Sequence, residues 1–160
     1  MIKTVAILFL GNYNYDARSI NMAESLANNN YHVSVVHSAS ENKKTSSQSI
    51  SFYNIILKKT GKSKYLEWYL KVRGFIGANN FDLVIAGDLY SLPATCCGKS
   101  FKTIYDSRDL FSVLPALNKS FFVKKFWCFL ENQSIKHVSL VLATANSDVR
   151  YLKQQHLKYN

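Results

Sequence analysis

Acidic and basic side chains follow two apolar runs of this sequence, close to the point where each run ends. The run DLVIAG is followed by Asp88, and the run FKTIY is followed by Asp106, Arg108 and Asp109. Carboxylates accept paired hydrogen bonds from neighbouring hydroxyl groups, so three carboxylates and one guanidinium brought together would suit a sugar. The alternative interpretation is that each residue caps a helix or forms a salt bridge within the protein.

The first apolar run, KTVAILFL, leads into the loop GNYNYDAR, which is rich in hydrogen-bonding side chains. Asp16 stands directly before a helical pattern and is therefore a candidate N-cap of that helix. Arg18 falls in the first helical turn, where the helix dipole disfavours a cation. Its position indicates either a functional role or an ordinary surface residue.

A parallel sheet would bring the ends of these runs to one edge. The predicted strands are residues 3–10, 32–37, 52–59, 82–87, 101–105 and 139–144, and the predicted helices are residues 17–29, 63–80, 90–98, 119–137 and 147–157. Strands that are apolar on both faces and alternate with helices predict an α/β fold, a doubly wound, mainly parallel Rossmann-like sheet of about six strands with helices on both faces. In such sheets, ligands bind beyond the carboxyl ends of the strands.

The length of the chain suits one domain, and we expect residues 1–160 to form a single Rossmann-like domain. No apolar run reaches the ~18 residues of a membrane span, and the first residues predict a strand and not a signal peptide. The three cysteines form no framework of bridges, which favours a reducing cytoplasm.

The glycines and the potential metal ligands support no common cofactor. The first turn contains Gly11 alone where a dinucleotide site needs three glycines, and no Walker loop is present. His32 and His37 point to opposite faces of a strand, and the adjacent Cys96 and Cys97 cannot both face one ion. We therefore expect neither a dinucleotide cofactor nor a metal.

The charge of the chain is strongly positive, with 20 Lys and Arg against 10 Asp and Glu and a net charge of +10. This excess favours nucleic acid, anionic lipid or phosphorylated substrates as partners. Lysines in KKTGKSK and in the aromatic segment NKSFFVKKFWCFLENQ indicate a face that rests on an anionic membrane. The candidate membrane-surface residues are Lys58, Lys59, Lys62, Lys64, Lys124 and Lys125.

Most aromatic residues of this second segment are expected to be core, because the helix must cover the sheet. Nucleic-acid binding would use the same positive charge, but the sequence contains no recognition motif, so nucleic acid ranks lower as a partner.

Four segments resemble the N-terminal domain of family 4 glycosyltransferases with the GT-B fold: LGNYNYDARSINMAESLANNNYHVSVV, FDLVIAGDLYSLPA, YDSRDLFS and VSLVLATANSDVRYLKQQ. The resemblance extends from about residue 3 to residue 156 and rests on the order and spacing of the segments. In this family, two Rossmann-like domains face each other across a cleft. The first binds the acceptor and the second binds the nucleotide-sugar donor, and the sugar is transferred without a metal and with retention of anomeric configuration.

The resemblance implies that the loop from Gly11 to Asp16 lines the cleft beside the acceptor and the transferred sugar. Gly11 would admit a ligand close to the backbone, while Tyr13 would offer a ring face and its asparagine neighbours would offer hydrogen bonds. The candidate acceptor-binding and sugar-binding residues are Gly11, Asn12, Tyr13, Asn14, Asp16, Arg18, Asp88, Tyr90, Asp106 and Asp109.

Two positions depart from the family pattern. After the fifth strand, family members often carry a His that contacts the reacting sugar, and this chain has Arg108 at that catalytic position. Arg stays charged and can serve neither as a base nor as a neutral hydrogen-bond partner. The fourth strand of the family often ends in His-Asp, and here it ends in Gly87-Asp88. Both departures argue against turnover by the family's usual route.

The implied function is the acceptor-binding half of a hexosyltransferase of polysaccharide biosynthesis, acting on a glycan or a lipid-linked glycan. It would act in the cytoplasm or on the inner face of the cytoplasmic membrane. No segment carries the family's pair of donor-binding glutamates, so we expect the C-terminal donor-binding domain to be absent and the isolated chain to be inactive without a donor-binding domain or subunit. The alternative hypotheses are a non-catalytic carbohydrate-binding or scaffolding protein derived from this fold, and an RNA-binding α/β module.

Overall fold

A parallel six-stranded sheet forms the centre of the protein in its computed structural model, which describes residues 3–38, 48–96, 100–109 and 121–157. The strands are β1 (Thr4–Phe9), β2 (His32–His37), β3 (Ile50–Asn54), β4 (Leu83–Ala86), β5 (Lys102–Ser107) and β6 (Leu140–Ala143). Their order in the sheet is β3-β2-β1-β4-β5-β6, and every neighbouring pair is parallel. The predicted Rossmann-like α/β sheet is confirmed.

Five α-helices within the described ranges connect and cover the strands. They are α1 (Ala17–Asn28), α2 (Ser63–Ala78), α3 (Leu92–Thr95), α4 (Phe121–Ile135) and α5 (Asn146–Leu157). A single turn of 3-10 helix, Tyr13–Tyr15, precedes α1. No helix within the described ranges is both long enough and apolar enough to cross a membrane.

Both faces of the central strand β1 are buried, as the unbroken apolar run predicts. Ala6 and Leu8 pack on one face against Trp68 of α2. Val5 and Ile7 pack on the other face against Ala23 of α1. Successive side chains of a strand point to opposite faces, so helices on both faces require apolar residues at the buried positions 5–8 of β1.

Several element boundaries differ from the prediction. Strand β3 ends at Asn54, although the apolar sequence continues to Leu57. The reason lies in its neighbour, since Asn54 pairs with His37, which is the last residue of β2. The predicted short helix over residues 90–98 is confined to α3, and residues 97–99 and 110–120 lie outside the described part of the chain.

Helix α4 contradicts the expectation that most of its aromatic residues are core. Of the five aromatic residues in this helix, Trp127 is buried, whereas the four phenylalanines are between 56% and 83% exposed. These are Phe121, Phe122, Phe126 and Phe129. The other buried residues of α4 are Glu131 and Ser134, which lie one and two turns after Trp127 on the same face. Helix α4 therefore covers the sheet with a partly polar face and presents aromatic rings outward.

The buried carboxyl group of α4 is held by one residue of the sheet. Glu131 accepts a hydrogen bond of 2.9 Å from the Tyr105 hydroxyl of β5. Burial raises the pKa of Glu131 from 4.5 to about 6, and the Tyr105 hydrogen bond opposes this shift only in part. The folded protein therefore favours the protonated form of Glu131 more than the unfolded chain does. The resulting contribution to the free energy of unfolding is complete below the unfolded pKa of Glu131 and is lost as the pH rises through its folded pKa.

Replacing Glu131 with Gln tests this burial. We expect E131Q to raise the free energy of unfolding by about 2 kcal/mol near pH 8, because the neutral amide avoids burying a charge. Near pH 4, where Glu131 is itself protonated, the variant and the parent protein should be about equally stable. Urea denaturation at both pH values measures the difference. The exposed carboxylate of Glu24 on α1 provides the control, E24Q, which should show no such dependence on pH. An equal loss of stability at both pH values in E131Q would contradict the assignment.

Candidate functional site

The loop after β1 is shaped by its own side chains. Asn12 caps the 3-10 turn by accepting a hydrogen bond of 3.0 Å from the backbone amide of Asn14. Asp16 caps α1 by accepting a bond of 3.3 Å from the amide of Ser19. The capping role considered for Asp16 is therefore present in the structure. Polar residues at this position give the chain a defined path from the buried strand into the helix.

Two arginines and two aspartates form a charged cluster at the carboxyl edge of the sheet. The Arg18 guanidinium binds the Asp106 carboxylate through two nitrogens, at 2.9 and 2.5 Å. Arg108 donates one bond of 2.9 Å to Asp106 and a second bond to the carboxylate of Asp16. Its third bond, of 2.8 Å, reaches the hydroxyl of Ser19. The cluster thus joins the end of β5 to the start of α1.

Ion pairs and hydrogen bonds change the pKa values of Asp16 and Arg108. Burial alone would raise the pKa of Asp16, but hydrogen bonds from Ser19 and Arg108 and the charge of Arg108 outweigh it and lower the pKa. Burial disfavours the charged form of Arg108, and the two carboxylates reverse this effect and raise its pKa. A carboxyl pKa below its unfolded value stabilises the fold at neutral pH, and this contribution is lost as the pH falls through the folded pKa.

Glycines leave room for this cluster. A Cβ atom at Gly87 would lie 3.0 Å from the carbonyl oxygen of Leu8 and 3.1 Å from a guanidinium nitrogen of Arg108. Arg108 also lies over the ring of Phe9, with 5.2 Å between its central carbon and the ring centroid. A Cβ at Gly11 would lie 2.6 Å from that same ring. Gly87 and Gly11 are thus explained by close packing around Arg108 and Phe9.

The other predicted residues do not join the cluster. Asp88 is tied to the backbone, accepting bonds from the amides of Leu10 at 2.6 Å and Ser91 at 2.7 Å. Burial raises the pKa of Asp88, although these bonds act in the opposite direction. Tyr13 is only 2% exposed and packs edge-on against Phe52, so its ring face is not presented at the surface.

Three side chains near this edge carry buried polar atoms without a hydrogen-bond partner within the described part of the chain. They are Asn14 (its side-chain oxygen) in the loop after β1, His37 (both ring nitrogens) at the end of β2 and Ser107 (its hydroxyl) at the end of β5. Burial lowers the pKa of His37, which favours the neutral ring. Unpaired buried polar atoms are rare in proteins and often mark water or ligand sites.

A second feature, an apolar groove of about 880 Å³, lies between α2, α3 and α4. Tyr90 lines this groove. Its ring stacks on that of Tyr65, with 4.5 Å between the ring centroids, and meets the ring of Trp127 edge-on, with 5.0 Å between the centroids. Of the candidate membrane-surface lysines, Lys62 lines the groove, and Lys64 lies 5.1 Å from the centroid of the Tyr65 ring. Tyr90 is thus placed with the groove and not with the arginines.

Exposure of the remaining predicted residues varies. Asp109 is exposed, as are Lys58, Lys59 and Lys125, while Lys124 is half-buried. Among the described residues, no group of three or more His, Cys, Asp or Glu is arranged to hold a metal ion.

The structure adds three residues to the charged cluster that the sequence did not single out. These are Ser19, Phe9 and Thr144, whose hydroxyl lies 3.4 Å from a guanidinium nitrogen of Arg18. Thr144 directly follows β6, and its place at the end of a strand is the signal that would have found it. Nothing in the sequence marks Ser19 or Phe9 as a partner of Arg108.

Together, the strand order and the charged carboxyl edge define a Rossmann-like α/β domain of the kind found in each half of GT-B proteins. Solved structures with this fold include MurG from Acinetobacter baumannii, with a TM-score of 0.56 and 12% identity over 90% of this chain. The glycosyltransferase SsfS6 of Streptomyces sp. SF2575 has a TM-score of 0.51 and 12% identity over 86% of this chain. Apo UGT2 of Phytolacca americana has a TM-score of 0.52 and 10% identity over 74% of this chain. These three proteins are GT-B glycosyltransferases, and at such identities the likeness concerns the fold.

The chain spans 42% of MurG, 47% of SsfS6 and 33% of UGT2, which is between a third and a half of each. No protein-family model matches the chain, and no curated protein matches it in sequence.

The unequal burial of the two arginines leads to a prediction about stability. The side chain of Arg108 is 18% exposed and forms ion pairs with two carboxylates, those of Asp16 and Asp106. The side chain of Arg18 is 37% exposed and, among the described residues, forms an ion pair with one carboxylate, that of Asp106. Removing Arg108 leaves Asp16 without its cation, so we expect R108A to lower the free energy of unfolding by about 3–5 kcal/mol. R18A leaves Asp106 paired with Arg108 and should cost about 1 kcal/mol.

Urea denaturation of the two variants at neutral pH measures these losses side by side. R18A is the matched control, because it removes the same chemical group from the same buried carboxylate. Equal losses in the two variants, or a larger loss in R18A, would contradict the central position of Arg108.

Proposed function

We propose that the chain is the acceptor-binding, N-terminal half of a family 4-like GT-B glycosyltransferase, a retaining and metal-independent hexosyltransferase. The observation that carries this proposal is the likeness of fold, which covers 74–90% of this chain but only 33–47% of three GT-B glycosyltransferases. The donor-binding half would be a separate domain or subunit. The resemblance of the loop GNYNYDAR and of YDSRDLFS to family segments favours the N-terminal half over the C-terminal half.

The acceptor would bind at the carboxyl edge of the sheet. Ligands of open α/β sheets lie beyond the carboxyl ends of the strands. At this edge, the Arg18 side chain is partly exposed, whereas the Asn14 oxygen and the His37 ring nitrogens are buried and lack a hydrogen-bond partner within the described residues. The loop from Gly11 to Asp16 would contribute its amide side chains to hydroxyl groups of a glycan.

Arg108 would support this site as a positioning residue. Its guanidinium is held by Asp16, Asp106 and Ser19, so it fixes the loop after β1 against β5. A guanidinium remains protonated at every accessible pH and cannot accept a proton from an acceptor hydroxyl. If the enzyme turns over, the base must therefore be another group or the donor itself.

The alternative function is a non-catalytic carbohydrate-binding or scaffolding protein, and a specific contact favours it. A side chain at position 87 would meet both the backbone carbonyl oxygen of Leu8 and the guanidinium of Arg108, so Gly87 and Arg108 are compatible in this structure. Departures from the family pattern at both positions suit a protein that has the fold of the family without its catalytic activity.

Binding to an anionic membrane is the second part of the proposal. Exposed phenylalanines of α4 lie beside exposed Lys125, and exposed Lys58, Lys59 and Lys62 precede α2. Aromatic rings with flanking lysines suit the headgroup region of a bilayer rich in anionic lipid. This placement fits polysaccharide biosynthesis on a lipid-linked acceptor at the inner face of the cytoplasmic membrane.

Binding measurements distinguish the acceptor half from the donor half. We expect the chain to bind oligosaccharides on an array of bacterial surface glycans and to show no saturable binding of UDP-glucose in isothermal titration. R18A should weaken the glycan binding about tenfold, a change of about 1.4 kcal/mol, because it removes a donor at the site. K102Q, at the opposite edge of the sheet, is the control and should bind glycans like the parent protein. Tight binding of UDP-glucose without any glycan binding would contradict the assignment.

Enzyme and scaffold are then separated by turnover. The chain is mixed with a candidate donor-binding subunit, and release of nucleoside diphosphate is measured with the parent protein and with R108H. Turnover by either protein supports the enzyme, and glycan binding without turnover in both supports the scaffold.

Vesicle binding tests the membrane part of the proposal. We expect the chain to sediment with vesicles of phosphatidylglycerol and phosphatidylcholine, and K59Q/K125Q should weaken this binding by about 1 kcal/mol for each lysine. The control K102Q/K153Q removes the same charge from two other exposed positions and should have a smaller effect. Equal effects of the two double variants would show that net charge alone drives binding. Affinity for RNA at low salt that exceeds affinity for vesicles would favour the RNA-binding module instead.

A further inference from the structure

The groove between α2, α3 and α4 has a floor of three aromatic rings. Tyr65 stacks on Tyr90 at 4.5 Å, and both rings meet Trp127 edge-on, at 5.4 and 5.0 Å. Leu66 of α2 and Phe122 and Phe126 of α4 also line it. Its volume of about 880 Å³ falls in the range of small-molecule sites, about 300–1,000 Å³. The lining therefore suits an apolar ligand of that size.

The position of the groove relates it to the charged edge. Helices that link parallel strands run antiparallel to them, so the N-termini of α2 and α4 lie at the carboxyl edge of the sheet. Tyr90, four residues after the end of β4, also belongs to this edge. The groove thus begins on the side where the acceptor is proposed to bind.

Positive charge gathers at this end of the groove. Lys62 lines the groove and precedes the first turn of α2, and no side chain caps the amides of that turn. Lys64 lies over the Tyr65 ring that forms part of the floor. The positive end of the helix dipole favours an anion, and a phosphate is the usual partner of such a terminus. The apolar floor and this charge together describe an amphiphile.

We propose that the groove binds the hydrocarbon tail of a single phosphate-bearing lipid, with the phosphate at Lys62 and Lys64. The inference rests on the proposed function, because it identifies the acceptor as a lipid phosphate that carries the glycan. It goes further by assigning the tail to a defined groove within the protein and not to the bilayer. The tail covers Phe122 and Phe126, which α4 presents outward, while the glycan extends toward the charged cluster.

Two leucines of α2 provide a matched pair for testing the groove. Leu66 and Leu70 are 57% and 58% exposed, but only Leu66 is among the groove residues. Both L66D and L70D should fold, because each side chain is more than half exposed. The probe is farnesyl phosphate below its micelle concentration, and the readout is tryptophan fluorescence. Trp127 lies in the groove whereas Trp68 is fully buried, so W127F should remove the signal.

We expect saturable binding of one farnesyl phosphate per chain, weaker binding of farnesol, and no binding of inorganic phosphate. L66D should weaken farnesyl phosphate binding at least about tenfold, and L70D should leave it unchanged. The proposal is wrong if the two variants bind alike, or if inorganic phosphate binds as well as farnesyl phosphate.

Sedimentation of the parent protein distinguishes other occupants. A concentration-dependent dimer that L66D abolishes would assign the groove to a second copy of the chain and overturn the lipid proposal. Loss of farnesyl phosphate binding while glycan binding persists would overturn the groove alone and leave the acceptor-binding role in place. Retained lipid binding without any glycan binding would support the groove and reject the proposed function.

Discussion

The carboxylate of Asp106 imposes the constraint on which the arrangement of the carboxyl edge depends. It has no exposed surface, and a buried charge is tolerated only when it is paired and hydrogen-bonded. Arg18 from α1 and Arg108 from the end of β5 supply that pairing. Since Arg108 also binds the N-cap Asp16, the charge of one buried residue fixes the loop after β1 and the first turn of α1. The shape of the candidate site follows from this requirement.

The same requirement explains why Gly87 and Arg108 belong together. A guanidinium at position 108 extends over Phe9 and into the space beside Gly87, and a side chain at position 87 would displace it. In this chain, Arg108 is paired with the carboxylates of Asp16 and Asp106 and links the loop after β1 to the end of β5.

The sheet could be predicted from the sequence because a strand that is buried on both faces appears as an uninterrupted run of apolar residues, as in residues 5–8 of β1. The end of β3 could not be, since it depends on where its neighbour β2 stops and not on its own apolar residues. The convergence of Asp16, Arg18, Asp106 and Arg108 follows from the parallel sheet. Their mutual pairing does not, because the sequence gives no distances between side chains.

The burial of side chains in helix α4 differs most from what its sequence predicts. A helix rich in phenylalanine is expected to bury those rings, yet it buries Glu131 and Ser134 and exposes four rings. Each exposed ring forgoes part of the roughly 25 cal/mol per Å² that burial would contribute. The carboxylate of Glu131, buried with one hydrogen bond from Tyr105, lowers the stability of the packing of α4 on the sheet at neutral pH. A ligand that bound only the folded chain and covered Phe122 and Phe126 would recover that energy and stabilise α4 by mass action. Under the lipid-binding proposal, the outward aromatic face of α4 would be the protein side of the interface with the lipid.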